Sequence, residues 1–244
     1  MNLIIDIGNT FCKLFVFEQN KPIFSSKVET TKQIDLNELF NEFNPVTNAI
    51  ISSVTGISED LKEKIHKHGT NLVILDSVTK IPITNLYKTP ETLGKDRLAA
   101  IVGAYNIFPN QNVLAIDAGT AITFDFINEN SEYTGGNISP GLSMRYKALN
   151  YFTKKLPLLN PCDNFPFIGQ TTDEAIIAGV QNGIIFEISE YIKKFDENYK
   201  ELKVILTGGD TFFFAHKLKC PIFAEPFLVA IGLNRILQDN VEKS

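Results

Sequence analysis

The chain has 244 residues, of which 44% are hydrophobic, and a formal net charge of −5 at pH 7. This length allows one large or two small domains, and no stretch approaches the ~20 apolar residues of a membrane-spanning helix. The acidic balance gives no support for a nucleic-acid surface. There is no secretory pattern at the N-terminus, and three scattered cysteines are typical of neither a disulfide framework nor a zinc site. We therefore expect a soluble, cytoplasmic protein.

Residues 2–17 predict two β-strands joined by a tight turn. Runs rich in Ile, Leu, Val and Phe flank the turn, and Gly8 lies where positive φ would be needed. Asp6 at the end of the first strand can hold a hydrated Mg²⁺, while the turn amides, the Thr10 hydroxyl and Lys13 can meet phosphate oxygens. These residue types also form ordinary turns. A phosphate loop and a plain hairpin both remain open from this stretch alone.

The following segment predicts a mixed sheet with crossover helices. Strands are expected over residues 21–29, 48–54 and 71–75, and amphipathic helices over 36–43 and 58–68. Asp35 is the expected cap of the first helix. His66 and His68 point in different directions on the second, so we interpret them as surface residues and not as metal ligands.

Residues 76–93 are predicted to be irregular and lead into Gly94, Lys95, Asp96 and Arg97 at the start of a helix. Arg97 could bind a carboxylate or phosphate through two N–H groups. Asp96 could accept a proton from an attacking hydroxyl, a common role for an acidic residue in phosphoryl transfer. Because Asp in a first helical turn is favourable anyway, simple capping is the other interpretation.

Residues 113–127 repeat the arrangement of the first hairpin. Asp117 aligns with Asp6 and Gly119 with Gly8, each between two apolar runs. A repeated strand–DxG–strand unit indicates two similar lobes, each directing an acidic turn at a shared cleft. We predict lobes over residues 1–111 and 112–244, with the last helix packing back on the first lobe. This organisation predicts a clamp for nucleotide phosphates.

The rest of the chain predicts further α/β structure with two candidate ligand contacts. A strand at 132–138, a helix at 142–152, a proline-containing loop at 154–169 and a long helix from 171–174 to about 195 are expected. Thr172 either caps that long helix or offers its hydroxyl to a ligand. After a strand at 203–206, Gly208 and Gly209 allow close approach to a flat ligand such as adenine. Residues 212–214, three phenylalanines, favour core or interface, and a final helix covers 226–237.

Taken together, five motifs resemble type III pantothenate kinase, of the acetate and sugar kinase/Hsc70/actin superfamily. They are residues 6–10 (DIGNT), 94–97 (GKDR), 117–120 (DAGT), 135–141 (GGNISPG) and 207–210 (TGGD). The resemblance covers nearly the whole chain. It implies an α/β fold of two ribonuclease H-like lobes with a central nucleotide cleft, and a homodimer. The implied reaction is ATP-dependent phosphorylation of pantothenate to 4'-phosphopantothenate, the first step towards coenzyme A.

The resemblance also implies roles for individual residues. Asp96 would be the catalytic base, Asp6 would approach Mg²⁺ through water, and Asp117 would bind a monovalent cation, K⁺ or NH₄⁺. The implied ATP-binding residues are Asp6, Ile7, Gly8, Asn9, Thr10, Phe11, Cys12, Lys13, Thr120, Gly208 and Gly209. The implied pantothenate-binding residues are Tyr87, Gly94, Lys95, Asp96, Arg97 and Thr172.

One departure and two alternatives accompany this interpretation. The family commonly has Asn-Pro just after the pocket Tyr, whereas this chain has Thr89-Pro90. Another small-molecule kinase or ATPase of the superfamily is one alternative, since fold analogy alone does not separate substrates. A non-enzymatic regulatory accessory factor is the other. A regulator could have lost Asp6, Asp96 or Asp117, and this chain retains all three.

Overall fold

A computed structural model describes residues 1–30 and 35–241 of the chain. Residues 31–34 and 242–244, which fall in the two predicted lobes, lie outside that description. The chain divides into two compact units, Met1–Ile107 with Leu228–Ser244, and Phe108–Phe227. Among the described residues, no helix is long and apolar enough to cross a membrane.

The first unit contains a mixed five-stranded sheet, as the order of predicted elements implied. The first strand pairs antiparallel with the second and parallel with the fourth. In the sheet order β3-β2-β1-β4-β5, the strands are β1 (Asn2–Ile7), β2 (Phe11–Glu18), β3 (Lys21–Glu29), β4 (Asn48–Ser53) and β5 (Asn71–Ile74). The bounds of the predicted strands at 21–29, 48–54 and 71–75 are confirmed to within one residue.

Two helices, α1 (Asn37–Glu42) and α2 (Glu59–Lys67), bury their apolar faces in one core with alternate residues of this sheet. Ser58 caps α2 by accepting a hydrogen bond from the amide of Leu61. The prediction that Asp35 caps α1 was wrong, because Leu36 occupies the cap position. The Asp35 carboxylate instead accepts a hydrogen bond from the amide of Asn37 at 2.9 Å. His66 and His68 are exposed, as predicted.

The helices α3 (Lys95–Ile107) and α7 (Leu228–Val241) pack closely against each other in the first unit. Their contact depends on small residues, because a Cβ on Gly232 would lie 1.8 Å from the carbonyl oxygen of Ala99. Along the chain, two short elements follow β5 and precede α3: β6 (Thr84–Asn85) and a 3₁₀ turn (Pro90–Thr92). Both fall in the segment predicted to be irregular.

The second unit contains five strands in the order β11-β10-β7-β8-β9 and three helices. The strands are β7 (Val113–Ala118), β8 (Ala121–Ile127), β9 (Glu132–Pro140), β10 (Lys203–Thr207) and β11 (Phe223–Ala224). The helices are α4 (Leu142–Phe152), α5 (Thr172–Asn198) and α6 (Thr211–Ala215). Within α6, Phe214 enters the core, whereas Phe212 is exposed. The two-residue strand β11 was not predicted, because so short a run carries no periodicity.

Candidate active site

Three polar side chains lie in a row across the first sheet. β1 places Asp6 between Lys13 of β2 and Ser52 of β4, each in direct register with it. Because side chains alternate between the two faces of a strand, Asp6, Lys13 and Ser52 project on the face opposite the α1/α2 core. Pairing of neighbouring strands thus brings a carboxylate, an ammonium group and a hydroxyl side by side.

Asp6 is held in an unusual electrostatic environment. Burial raises the pKa of its carboxyl, the charge of Lys13 opposes that shift, and the charge of Asp96 adds to it. Asp6 and Asp96 are therefore close enough to sense each other's charge. Carboxylate oxygens are the ligands that a hard divalent cation prefers, so Asp6 and Asp96 are candidates for holding a hydrated Mg²⁺. The predicted Mg²⁺ residue and the predicted base accordingly belong to one cluster of the first unit.

The turn after Asp6 differs from the expected geometry. Gly8 does not have a positive φ, so that part of the prediction was wrong. Its amide donates to the carbonyl of Phe11 at 3.0 Å, and a Cβ at residue 8 would lie 3.2 Å from the same oxygen. Glycine is favoured here by the tightness of the turn. Asn9 and Thr10 are exposed at its tip, where a ligand could reach them.

Two residues of the predicted ATP-binding stretch point away from any ligand. Ile7 and Cys12 are buried in the α1/α2 core. Burial raises the pKa of the Cys12 thiol to about 12, so the side chain stays neutral. These two positions can therefore offer a nucleotide their backbone groups only.

The start of α3 presents Asp96 to solvent and buries Arg97. The Oδ1 atom of Asp96 accepts a hydrogen bond from the amide of Arg97 at 2.8 Å, so the carboxylate also stabilises the helix start. A Cβ on Gly94 would lie 2.6 Å from that Oδ1 atom, so a larger residue there would displace the Asp96 carboxylate from this position. The Arg97 guanidinium lies over the ring of Tyr87. Capping and an accessible carboxylate, which the sequence left as alternatives, coexist.

The loop before α3 accommodates Thr89, which stands where an Asn was expected. This residue begins the 3₁₀ turn, and its hydroxyl oxygen accepts a hydrogen bond from the hydroxyl of Thr92 at 2.8 Å. The amide of Tyr87 donates to Oδ1 of Asn85 at 3.0 Å. Threonine at position 89 thus keeps a hydrogen-bonding role in the loop that carries Tyr87.

In the second unit, two turns meet at Asp117 at the end of β7. A Cβ on Gly208, which has a φ of +96°, would lie 2.4 Å from both Oδ1 of Asp117 and the carbonyl oxygen of Ala118. A Cβ on Gly119 would lie 3.3 Å from the same carboxylate. The amide of Asp210 donates to the carbonyl of Ala118 at 2.9 Å, which fixes the strand-end turn. The repeated DxG turn and the predicted adenosine loop therefore meet here.

Residues next to the Asp117 turn include exposed groups and a glycine with open space around it. Thr120 is exposed, and its carbonyl accepts the amide of Gly141 at 3.1 Å. Apart from Gly209 and its chain neighbours, no residue that the structure describes comes within 4 Å of a Cβ built on Gly209, so a flat ligand could approach the backbone there. Burial raises the pKa of the Asp210 carboxyl.

Thr172 lines a cavity of about 830 Å³ between α4 and α5 of the second unit. The cavity is mainly apolar, with contributions from Leu149, Phe152 and Ile176, and Arg145 at its edge. The interpretation of Thr172 as the helix cap was wrong. Thr171 caps α5 by accepting the amide of Glu174 at 3.2 Å, which leaves Thr172 as the first helical residue.

Ser52 is the residue of this site that sequence reasoning missed. Its only signal was a pair of serines at the end of an apolar strand. The pairing of β4 with β1, which puts Ser52 beside Asp6, is a long-range contact that no local pattern reveals.

The chain is similar to proteins of one family along almost its entire length. The sequence model of the type III pantothenate kinase family matches residues 2–194. A protein named type III pantothenate kinase from Phocaeicola vulgatus is 48% identical over 240 residues, covering 98% of this chain and 99% of the relative.

Solved structures support the fold. A protein from Campylobacter jejuni assigned to the Baf family of transcriptional activators has a TM-score of 0.64 and 25% identity, covering 98% of this chain and 99% of its own. A Sinorhizobium meliloti protein assigned as a 2-dehydro-3-deoxygalactonokinase has a TM-score of 0.61, 12% identity and coverage of 100% and 98%. The predicted α/β fold, of the type found in actin-like ATPases and sugar kinases, is confirmed.

Proposed function

Because the chain belongs to the type III pantothenate kinase family, we propose that it transfers the γ-phosphoryl group of ATP to the hydroxyl of pantothenate. The products are ADP and 4'-phosphopantothenate, in the first step of coenzyme A biosynthesis. The observation that carries this proposal is near-full-length similarity to relatives that bear the name of this enzyme. A cytoplasmic location accompanies it, since both ATP and coenzyme A precursors are used there.

In this reaction Asp96 is the general base. The pantothenate hydroxyl oxygen attacks the γ-phosphorus in line, its proton passes to the Asp96 carboxylate, and the bond to the β-phosphate oxygen of ADP breaks. The position of Asp96 supports this role: it is exposed at the start of α3 and belongs to the same charged cluster as Asp6. Phosphoryl transfer depends mainly on positioning and charge neutralisation, which this cluster can supply.

The first phosphate loop, residues 6–13, holds the phosphates of Mg-ATP. The carboxylate oxygens of Asp6 and Asp96 fit a hydrated Mg²⁺, which would neutralise phosphate charge when it is bound. Asp6 would hold this ion through water. Asn9 and Thr10 are exposed at the turn, and Lys13 adds a positive charge next to Asp6.

The Asp117 cluster supplies the remaining nucleotide contacts and a site for a monovalent cation, K⁺ or NH₄⁺. The Asp117 carboxylate and the neighbouring carbonyl of Ala118 are oxygen donors on the same side of Gly208, a set that fits such an ion. Thr120 contacts the phosphates. Gly208 and Gly209 approach the adenosine, and the empty space above Gly209 supports that placement.

Pantothenate is bound by the Gly94–Arg97 turn, Tyr87 and Thr172. Arg97 is suited to the pantothenate carboxylate, because its guanidinium can donate two parallel N–H bonds. Gly94 and Lys95 complete the turn at the helix start. Thr172 lies on α5, beside the apolar cavity and near the highly exposed aromatic side chains of α4.

A homodimer is part of the proposal. Tyr151 and Phe152 of α4 are 81% and 82% exposed, and Phe167, Ile168 and Phe186 are also exposed. Exposed apolar groups of this kind mark interaction surfaces. A second copy covering this surface would place Thr172 at or near the subunit boundary.

A regulatory role is the second candidate, since the Campylobacter jejuni structural relative is assigned as a transcriptional activator. Retention of Asp6, Asp96 and Asp117 favours the kinase, because a regulator without catalysis has no need for them. Another kinase of the superfamily would use the same cluster with a different acceptor.

The deciding experiment measures ADP release with Mg-ATP, with and without pantothenate, in K⁺ buffer and then in Na⁺ buffer. We expect turnover that requires pantothenate and is faster in K⁺. Folded protein that binds Mg-ATP but releases no ADP with pantothenate would favour another acceptor. Folded protein without ATP binding would favour the regulatory role.

A further inference from the structure

Ser52 is a buried hydroxyl group whose presence needs a physical reason. The residue is 1% exposed, and its Oγ atom makes no hydrogen bond with any residue that the structure describes. Buried polar groups without partners are rare because they lose their hydration without compensation. An alanine would fill the same position on β4 without this cost.

The adjacent serine shows the ordinary alternative. The Ser53 hydroxyl donates to the carbonyl of Gly56 at 2.7 Å and accepts from the amides of Thr55 and Gly56. Ser53 therefore stabilises the turn after β4. Since side chains alternate along a strand, Ser53 and Ser52 project to opposite faces, and only Ser52 faces the side of Asp6.

Asp6 lies between two groups that can donate to it. Lys13 and Ser52 flank it on the neighbouring strands, in direct register. Strand pairing puts the Ser52 hydroxyl beside the Asp6 carboxylate on the same face of the sheet, although no hydrogen bond of normal geometry joins them. Within residues 1–30 and 35–241, no other acceptor forms a hydrogen bond with the Ser52 hydroxyl.

We propose that Ser52 is a positioning residue for the kinase reaction, whose Oγ–H donates a hydrogen bond to the Asp6 carboxylate when Mg-ATP binds. This inference rests on the proposed function. The bond holds one carboxylate oxygen and leaves the other directed at the hydrated cation. It also prevents Asp6 from turning fully towards Lys13, so the ammonium group of Lys13 stays available for phosphate oxygens.

The test compares Mg²⁺-dependent ATP binding in four proteins, by calorimetry and by thermal stabilisation, without pantothenate. For Ser52→Ala we expect the Mg²⁺ concentration at half-maximal ATP binding to rise about tenfold, the usual effect of removing a partner of a metal-binding group. Ser52→Thr keeps the hydroxyl and should stay within about twofold of wild type. Ser53→Ala is the matched control: its Tm should fall while its Mg²⁺ midpoint stays that of wild type.

Two results would overturn the assignment. One is a wild-type Mg²⁺ midpoint in folded Ser52→Ala protein. The other is an equal shift in Ser52→Ala and Ser52→Thr at unchanged Tm, which would trace the effect to packing and not to the hydroxyl. Because the binding assay contains no pantothenate, it tests the role of Ser52 separately from pantothenate-dependent ADP release. Failure of that release in wild type overturns the proposed function, while ATP binding still tests Ser52.

Discussion

The guanidinium of Arg97 lies over the aromatic ring of Tyr87, 5.5 Å from its centroid. Arg97 is buried in the first turn of α3, and Tyr87 belongs to the loop that precedes this helix. The contact joins two residues proposed to bind pantothenate. It also orients the planar guanidinium, since a cation is attracted to the face of the ring.

Replacing this ring should weaken pantothenate binding more than catalysis. For Tyr87→Ala we expect the KM for pantothenate to rise roughly fivefold, about 1 kcal/mol, because Arg97 loses the ring that orients it. Tyr87→Phe keeps the ring and should resemble wild type in steady-state kinetics. Equal losses in both variants would show that the hydroxyl, and not the ring, matters.

Asp96→Asn should remove most turnover and leave the fold intact. Asparagine keeps the oxygen that accepts the Arg97 amide but is a far weaker base, so kcat should fall about 10²- to 10⁴-fold. Rapid-quench or coupled ADP assays measure the loss, and thermal unfolding checks the fold. Asp60→Asn, an exposed first-turn acid of α2, is the matched control. An unchanged kcat in Asp96→Asn would show that the base is another group.

Asp6 should make stability depend on pH in a defined direction. Burial raises the pKa of its carboxyl, so the folded state binds a proton more readily than the unfolded state does. The buried charge therefore lowers stability at pH 7, and this cost is relieved as pH falls through the raised pKa. Asp6→Asn should raise the Tm of the ligand-free protein at pH 7, by a margin that shrinks towards pH 4.

The same Asp6→Asn variant should lose thermal stabilisation by Mg-ATP, because it lacks the charge that the hydrated cation requires. Paired melting curves with and without ligand, at several pH values, measure both effects. A lower Tm for the ligand-free variant at pH 7 would show that pairing with Lys13 outweighs burial.

Asp117→Asn should selectively reduce the response to K⁺. The substitution removes the negative charge from an oxygen set that also includes the Ala118 carbonyl. We expect the K⁺ concentration for half-maximal activity to rise at least about tenfold, equivalent to 1.4 kcal/mol. Activity titrated with KCl against choline chloride at constant ionic strength measures it. An identical K⁺ profile would remove this role from Asp117.

The contact between α3 and α7 should tolerate no side chain at residue 232. A Cβ there would lie 1.8 Å from the Ala99 carbonyl oxygen, a backbone atom that cannot move aside freely. Gly232→Ala should lower the free energy of unfolding by about 3 kcal/mol. At Gly179, a Cβ would meet no described residue within 4 Å outside its own helical turn, so Gly179→Ala, a better helix former, should add about 0.5–1 kcal/mol. Urea unfolding of both variants measures the contrast.

Local patterns were enough for most elements and for the outline of the site. Alternating and helical spacings located β3 and α4 at their observed bounds. The repeat of Asp6 and Asp117 after matching apolar runs indicated two equivalent acidic turns. These features depend on neighbours along the chain, so the sequence by itself determined them.

Tertiary structure decided what those turns contact. Gly8 is favoured by the tightness of its own turn, whereas Gly208 is required by a positive φ and by the backbone of another strand. Whether Thr171 or Thr172 caps α5 depends on backbone angles that adjacent threonines do not distinguish. Ser52 meets Asp6 only because β4 pairs in parallel with β1. Contacts between distant segments arise from packing and strand register, which no short stretch of sequence encodes.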